Sequence, residues 1–371
     1  MNDFKEAILT DVVRQKINVT KTYMPHFGKY VEKLKRLWKS AWVTNNGEYV
    51  KQLEDRLRRY FGINNIVLVA NGTLALMIAY KLLKLKEEVI TTPFSFIATV
   101  NSLIWENLTP IFADIDRETL TINPEKIERK ITDRTSAILA VHVFGNPCNI
   151  ESIQEIARKY NLKVIYDAAH AFGVRYHDRS IVEYGDVSIL SFHATKLFHS
   201  VEGGALIVKD DELYREARRM ITFGYENGVI KGIGINAKMN ELEAAMGLCV
   251  LDDIEKILCK RKILYDIYMN ELCGYLSFPK YRIWSTRNYS YFPVLFEHEG
   301  KLLEVMSALA LENIYPRRYF YPSADTLKYI EPKQFCPISR SISKRILCLP
   351  MYNELDEDTQ MKIIRIIKEN L

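Results

Sequence analysis

Short apolar strands alternating with amphipathic helices predict an α/β fold. The expected architecture is a large three-layer α/β/α domain around a mainly parallel sheet, followed by a smaller C-terminal α/β domain. Three observations lead there. Strand and helix patterns alternate from Ile66 to Val208. The chain has 371 residues, too many for one small core. After Asn240 the pattern becomes long and helical, then returns to isolated strands. The expected division is residues 1–245 for the N-terminal region and large domain, and 246–371 for the small domain.

The elements follow in order. Phe27, Tyr30, Val31, Leu34, Leu37, Trp38 and Ala41 recur near a 3.6-residue period, which predicts a helix over 27–41. Val50, Leu53, Leu57, Tyr60 and Phe61 place a second helix over 49–61, after the loop signal Asn45-Asn46-Gly47. Strands are expected at 66–70, 88–91, 110–114, 137–142, 164–166, 187–191 and 205–208. Helices are expected at 74–85, 97–106 and 150–160 between them. Residues 240–272 read as helical, 289–296 and 345–349 as strands, and 358–371 as a closing helix. In a parallel sheet covered on both faces, ligands sit at the carboxyl ends of the strands. The loops beginning at Asn71, Pro93 and Gly145 lie there.

Composition narrows the function classes. The hydrophobic fraction of 48% and charged fraction of 26% suit a globular protein. The net charge of +5 is spread along the chain without a basic stripe, which argues against nucleic-acid binding. The first twenty residues include Asp3, Lys5, Glu6, Asp11 and Arg14 and lack the apolar core of a signal peptide. No apolar run long enough to span a membrane is present. The six cysteines are dispersed, with no zinc-like spacing, and read as reduced thiols in the cytoplasm. No metal is expected.

The chemistry concentrates on a lysine and an aspartate. Asp167 ends the apolar run Val164-Ile165-Tyr166. About thirty residues later, Lys196 closes Ser191-Phe192-His193-Ala194-Thr195-Lys196. Pyridoxal phosphate chemistry requires such a pair: a lysine to hold the aldehyde as a Schiff base, and an acid to keep the pyridine nitrogen protonated. Asn71-Gly72-Thr73, between a strand and a helix, is either an ordinary N-cap or an anion seat for a phosphate. Ser191 offers a second hydroxyl to that seat. Phe96, after a strand and a proline, is either core or a flat partner for a cofactor ring. His170 is either structural or a partner for the cofactor's phenolic oxygen, and His193 carries the same two readings. A nicotinamide enzyme is disfavoured, because no Gly-x-Gly-x-x-Gly follows the first strand.

In order and placement these segments resemble the DegT/DnrJ-type sugar aminotransferases, pyridoxal phosphate enzymes of fold type I. The similarity runs from about Thr44 to Pro350. It includes Ala70-Asn71-Gly72-Thr73-Leu74-Ala75-Leu76, Pro93-Phe94-Ser95-Phe96-Ile97-Ala98-Thr99, Asp167-Ala168-Ala169-His170-Ala171-Phe172-Gly173 and Gly234-Ile235-Asn236-Ala237-Lys238-Met239-Asn240-Glu241. The resemblance implies that Lys196 is the Schiff-base lysine and Asp167 the partner of the ring nitrogen. Thr73, Ser191 and the Leu74 amide would bind the phosphate, Phe96 would stack on the ring, and His170 would stand where many relatives have glutamine. Asn236 matches an asparagine that reaches the phosphate of a neighbouring subunit, which implies a homodimer with shared active sites. Pyridoxamine 5′-phosphate would be the intermediate form of the cofactor, and L-glutamate the amino donor.

His193-Ala194-Thr195 before the lysine, and Ile314-Tyr315-Pro316-Arg317-Arg318-Tyr319-Phe320-Tyr321-Pro322 later on, resemble the members that act at C4 of dTDP-4-keto-6-deoxyglucose. His193, Arg317, Arg318 and Tyr321 then become candidates to meet the nucleotide sugar or the donor carboxylate. The resemblance implies O-antigen or other polysaccharide biosynthesis, with thymidine or guanosine left open as the nucleotide. An enzyme acting at C3 of a 3-keto sugar is the alternative, and a catalytically inactive regulatory homologue is the alternative of another class. Related sugar dehydratases carry histidine in place of the lysine, so Lys196 argues against dehydration.

Overall fold

The computed structural model describes residues 16–371. The sequence reading of residues 1–15, including most of the segment judged to lack a signal-peptide core, lies outside the described residues. The centre is a seven-stranded sheet. Its strands are β1 (Ile66–Val69), β2 (Glu88–Thr91), β3 (Thr109–Phe112), β4 (Thr135–Val141), β5 (Lys163–Asp167), β6 (Val187–Ser191) and β7 (Gly204–Val208), in the order β1-β7-β6-β5-β4-β2-β3. Five strands pair in parallel with their neighbours through the β3-β2-β4-β5-β6 stretch. β7 runs antiparallel to both β1 and β6, since the link from Ser191 to Gly204 contains no helix to carry a parallel crossover.

The strands read as continuous apolar runs because both faces are covered, and the two-residue period divides each run between two cores. Ile66 and Leu68 of β1, with Ile138 and Ala140 of β4, face a core shared with helices Glu48–Phe61, Ile150–Tyr160 and Glu241–Asp252. Val67 and Val69, with Ala137 and Leu139, face the opposite core, filled by Ala75, Leu76 and Ala79 of helix Gly72–Leu82 and by Ala217.

Beyond the sheet, Phe292–Leu295 pairs antiparallel with Ile346–Leu349. Helices Ile254–Leu272, Glu299–Leu311 and Glu357–Glu369 pack on this pair in a separate core. Near the start of the described chain, Ile17–Asn18 pairs in parallel with Ile314–Tyr315. A further aromatic cluster joins Phe94 and Phe144, from loops at the carboxyl ends of β2 and β4, to Tyr291 and Phe320 of the C-terminal segment. It fixes that segment over the end of the sheet where the loops gather.

Some elements differ from the sequence expectation. The helical stretch 240–272 breaks at Asp253 into two helices. The strand expected over 289–296 contracts to Phe292–Leu295. Helix Asp211–Met220 was not anticipated, although Leu213, Tyr214, Ala217 and Met220 share one face that packs on the second core; only Ala217 is fully buried, and Asp210 starts the helix by accepting from the Glu212 and Leu213 amides. Among the described residues no helix is long and apolar enough to cross a membrane. The described residues also hold no group of three or more His, Cys, Asp or Glu able to hold a metal ion.

Candidate active site

A cavity of about 700 Å³ opens at the carboxyl ends of β1, β2, β5 and β6. Thr73, Leu74, Phe96, Asp167, His170, Ser191, His193, Lys196 and Arg317 line it, so nine of the twelve residues singled out in the sequence converge on one space. Such a volume suits a drug-sized or cofactor-sized ligand.

One end of the cavity is a seat between the start of helix Gly72–Leu82 and the end of β6. A Cβ on Gly72 would lie 2.9 Å from the Ser191 Cβ and 3.3 Å from its hydroxyl oxygen. A Cβ on Gly204 would lie 2.7 Å from the carbonyl carbon of Asn71. Both glycines therefore let the helix start press against the strands, which brings Thr73 and Ser191 to the same wall. Asn71 caps the helix by accepting from the Leu74 amide at 2.9 Å. That amide is thus already engaged, and the amides of Gly72 and Thr73 are the first-turn donors with no carbonyl of their own helix above them. A helix N-terminus with two hydroxyls beside it favours a phosphate.

At the other end, Asp167 closes β5 and is buried. Its carboxylate accepts from the Thr99 hydroxyl at 2.8 Å and from the Ala169 amide at 3.1 Å. Thr99 is itself paired with Ser95 at 2.7 Å. Burial raises the Asp167 pKa, and these two donors and the nearby Lys196 oppose the rise. A cation placed against this carboxylate would relieve its desolvation.

Lys196 lies five residues past the end of β6 in a turn, half-buried and facing the cavity. Burial lowers its pKa, against the pull of Asp167 and Tyr319. Its Nζ stands 3.4 Å from the Tyr291 hydroxyl. A partly desolvated amine is a better nucleophile and base near neutrality than a surface lysine.

His170 is buried, with its pKa held well below the usual histidine range by burial and by the Lys196 charge. Its Nδ1 accepts from the Phe144 amide at 3.2 Å. The neutral ring therefore carries its proton on Nε2, which leaves an N–H donor on the other side. Phe96 is half-exposed within the cavity, as an unused stacking face would be. His193 holds the Thr195 hydroxyl at 2.8 Å and stands 3.6 Å from Glu202, near the cavity mouth.

Three of the twelve residues lie outside the cavity lining. Arg318 donates to Glu299 at 2.7 Å and to the Lys344 carbonyl at 2.8 Å, and it stacks 3.5 Å from the Tyr321 ring centroid. Arg318 thus pairs with Tyr321 and with the C-terminal helices in this chain. Asn236 is exposed, with its side-chain oxygen accepting from Lys238. Sequence reading missed Thr99, Ser95, Tyr291 and Tyr319 as members of the site. Ser95 and Thr99 stood inside a quoted motif, and their spacing of one helical turn was the available signal. Tyr319 likewise stood inside the quoted segment 314–322, two residues from Arg317, whereas Tyr291 carried no signal, because it arrives from a distant segment that no motif marks.

A model of the DegT/DnrJ/EryC1/StrS aminotransferase family matches residues 28–368. The chain is 41% identical to a protein of Shigella dysenteriae named dTDP-4-amino-4,6-dideoxy-D-glucose transaminase, over 95% of this chain and 98% of that one. It is 31% identical to a GDP-perosamine synthase of Escherichia coli O157:H7, over 94% and 97% respectively. Among solved structures, DesI in the presence of its TDP-sugar product superposes with a TM-score of 0.91 at 30% identity, covering 96% of this chain and 93% of that one.

Proposed function

We propose, from the premise that this chain belongs to the DegT/DnrJ/EryC1/StrS aminotransferase family, that it moves the amino group of L-glutamate to C4 of a nucleotide-linked 4-keto-6-deoxy sugar. dTDP-4-keto-6-deoxyglucose is the acceptor of choice, given the names of the relatives at 41% and 38% identity. The observation that carries the reading is the meeting of Lys196 and Asp167 across one cavity with a phosphate seat between β1 and β6.

Pyridoxal 5′-phosphate fits this set of residues: the Gly72–Ser191 cradle suits its phosphate and the buried Asp167 carboxylate suits a ring cation. When bound it supplies an aldehyde that amines can join and a ring that takes up the electrons of a breaking C–H bond. Lys196 Nζ would anchor the aldehyde between turnovers. Once displaced by the donor amine, Nζ would take the proton from the donor's Cα and deliver it to the cofactor's former aldehyde carbon across the shared nitrogen, so that water releases the donor as a 2-oxo acid and its amino group stays on the cofactor. With the keto sugar in place it would run the same transfer in reverse, leaving the new amine on C4. Asp167 would hold the ring nitrogen protonated, and the Nε2–H of His170 would donate to the phenolic oxygen. Thr73, Ser191 and the first-turn amides would hold the phosphate, and Phe96 would cover the ring. Arg317, exposed in the cavity and 5.1 Å from the Tyr319 ring, is placed to meet a carboxylate or a diphosphate. Two half-reactions sharing one site give ping-pong kinetics.

The working unit in this proposal is a homodimer. Phe223, Val229, Ile230, Ile233 and Ile235 expose apolar surface along one stretch that ends at Asn236. An asparagine that is outside its own cavity yet beside such a surface suits a contact with the phosphate seat of a second copy. We place the boundary of the small domain near residue 246 and the enzyme in the cytoplasm, where the six unpaired cysteines would stay reduced. Incubation with pyridoxal 5′-phosphate, L-glutamate and dTDP-4-keto-6-deoxyglucose, followed by NMR of the product, tests the reading. An amine on C4 is expected. An amine on C3, or no amine, refutes it.

A further inference from the structure

We propose that the Tyr291 hydroxyl is the positioning partner of the Lys196 amine, holding Nζ in the orientation from which it exchanges protons with whatever occupies the cavity. This rests on the reading of Lys196 as the proton carrier. The contact is Nζ to Oη at 3.4 Å, and among the described residues it is the amine's sole hydrogen-bond partner.

Tyr291 is built to present that one atom. It immediately precedes strand Phe292–Leu295, and the preceding carbonyl, of Ser290, is fixed by the buried Arg261 at 3.1 Å. Its ring is 6% exposed and wedged among three others. The His170 ring lies 4.5 Å away, Phe144 5.8 Å and Tyr319 5.7 Å at a right angle, all between centroids. The ring therefore cannot swing away, and the hydroxyl has a single direction. A buried hydroxyl needs a hydrogen-bond partner, and the lysine amine is the one it has.

The protonation states fit the role. Burial raises the Tyr291 pKa, although Arg261 and Arg317 oppose it, so the phenol stays neutral. The groups acting on Lys196 are Asp167 and Tyr319, while His170 beside it stays uncharged. A neutral amine that gives one N–H to a fixed oxygen has its lone pair turned away from that oxygen. Lys196 and Tyr291 both line the cavity, so the amine is held at the wall of the space a ligand would fill. Misplacing a proton carrier by about 1 Å costs on the order of 100-fold in rate, so one well-held hydroxyl is enough to matter.

The test is Tyr291→Phe, which keeps the ring packing and removes only Oη. In cofactor-free protein, trace acetylation with acetic anhydride across pH, read by mass spectrometry of the Lys196 peptide, gives the midpoint of the amine. Loss of an oxygen that accepts from the amine, and so favours its ammonium form, should lower that midpoint. In the loaded enzyme kcat should fall at least about 10-fold with KM for glutamate within about twofold. A folded variant with an unmoved midpoint overturns the proposal, whether or not kcat falls, since a rate loss alone would mark a structural role. Should the phenylalanine variant fail to fold, 3-fluorotyrosine at position 291 keeps the ring and makes the hydroxyl a weaker acceptor. Its midpoint should also fall, and no movement overturns the proposal. The labelling readout needs neither cofactor nor sugar, so it stands even if the acceptor proves to be another molecule.

Discussion

Gly72→Ala probes the phosphate seat at the point where its dimensions are tightest. The new methyl carbon would stand 2.9 Å from the Ser191 Cβ and 3.3 Å from the Ser191 Cα. Ordinary carbon contacts are about 3.5–4.0 Å, so something must give by roughly 0.6–1 Å. Ser191 is held in β6 by pairing with Gly204 of β7, so the start of helix Gly72–Leu82 is the part that yields. Overpacking of this kind costs about 1–3 kcal/mol, offset by up to about 1 kcal/mol from the better helix propensity of alanine. The net loss is about 0–3 kcal/mol, a fall of at most a few degrees in Tm. The effect on the ligand should be larger than the effect on stability. A seat widened by that amount stretches one or two charge-assisted hydrogen bonds beyond useful length, each worth about 1.5–3 kcal/mol. Affinity for pyridoxal 5′-phosphate should then weaken about 10- to 100-fold or more. The assay is a titration of cofactor-free protein, followed by absorbance and by melting temperature. A variant that melts lower yet binds the cofactor with wild-type affinity would refute the placement of the phosphate between Thr73 and Ser191.

Other substitutions separate the roles. Asp167 has a raised folded pKa, so the folded chain holds that proton more tightly than the unfolded chain, and stability falls as pH rises from the unfolded value through the folded one. Cofactor-free Asp167→Asn should therefore melt at or above wild type near pH 7, converge with it below about pH 4, and aminate no sugar; lower stability at pH 7 would contradict the burial argument. His170→Gln keeps an N–H donor and should hold kcat within about 10-fold of wild type, whereas His170→Leu should lose more, and wild-type kcat should show no inflection from His170 near pH 6.5. Arg317→Ala should raise KM for glutamate or the nucleotide sugar by about 10-fold with little change in melting temperature; a change in kcat alone would place Arg317 elsewhere in the reaction. Mixing Lys196→Ala and Asn236→Ala chains should restore activity above either variant alone if Asn236 serves a second copy, and inert mixtures would refute the shared site.

The parts legible from residue order were those written locally. Ile66–Val69 and Lys163–Asp167 are recognisable because both faces of a central strand are buried, so the apolar run is continuous. Asp167 and Ser191 could be placed because strand ends in such a sheet face the ligand. The antiparallel direction of β7 was less legible, since a doubly buried strand looks the same either way. Helix Asp211–Met220 is less legible because its apolar stripe of Leu213, Tyr214, Ala217 and Met220 is short and sits among six charged residues. The Asn71 side chain takes the Leu74 amide, a competition that motif matching does not reveal. Tyr291 meets Lys196 across a separation of 95 residues, by docking of the C-terminal segment through Phe94, Phe144 and Phe320. Contacts of that kind depend on the whole fold and leave no periodic trace.

The central claim is that Lys196 carries the cofactor and the proton. Holding the purified protein with pyridoxal 5′-phosphate, reducing it with borohydride and mapping the peptides tests this most directly. The account predicts a yellow protein absorbing at roughly 410 nm, with the reduced cofactor fixed on Lys196 and no label in Lys196→Ala. Cofactor fixed on another lysine, or a Lys196→Ala variant that still aminates the sugar, would contradict it.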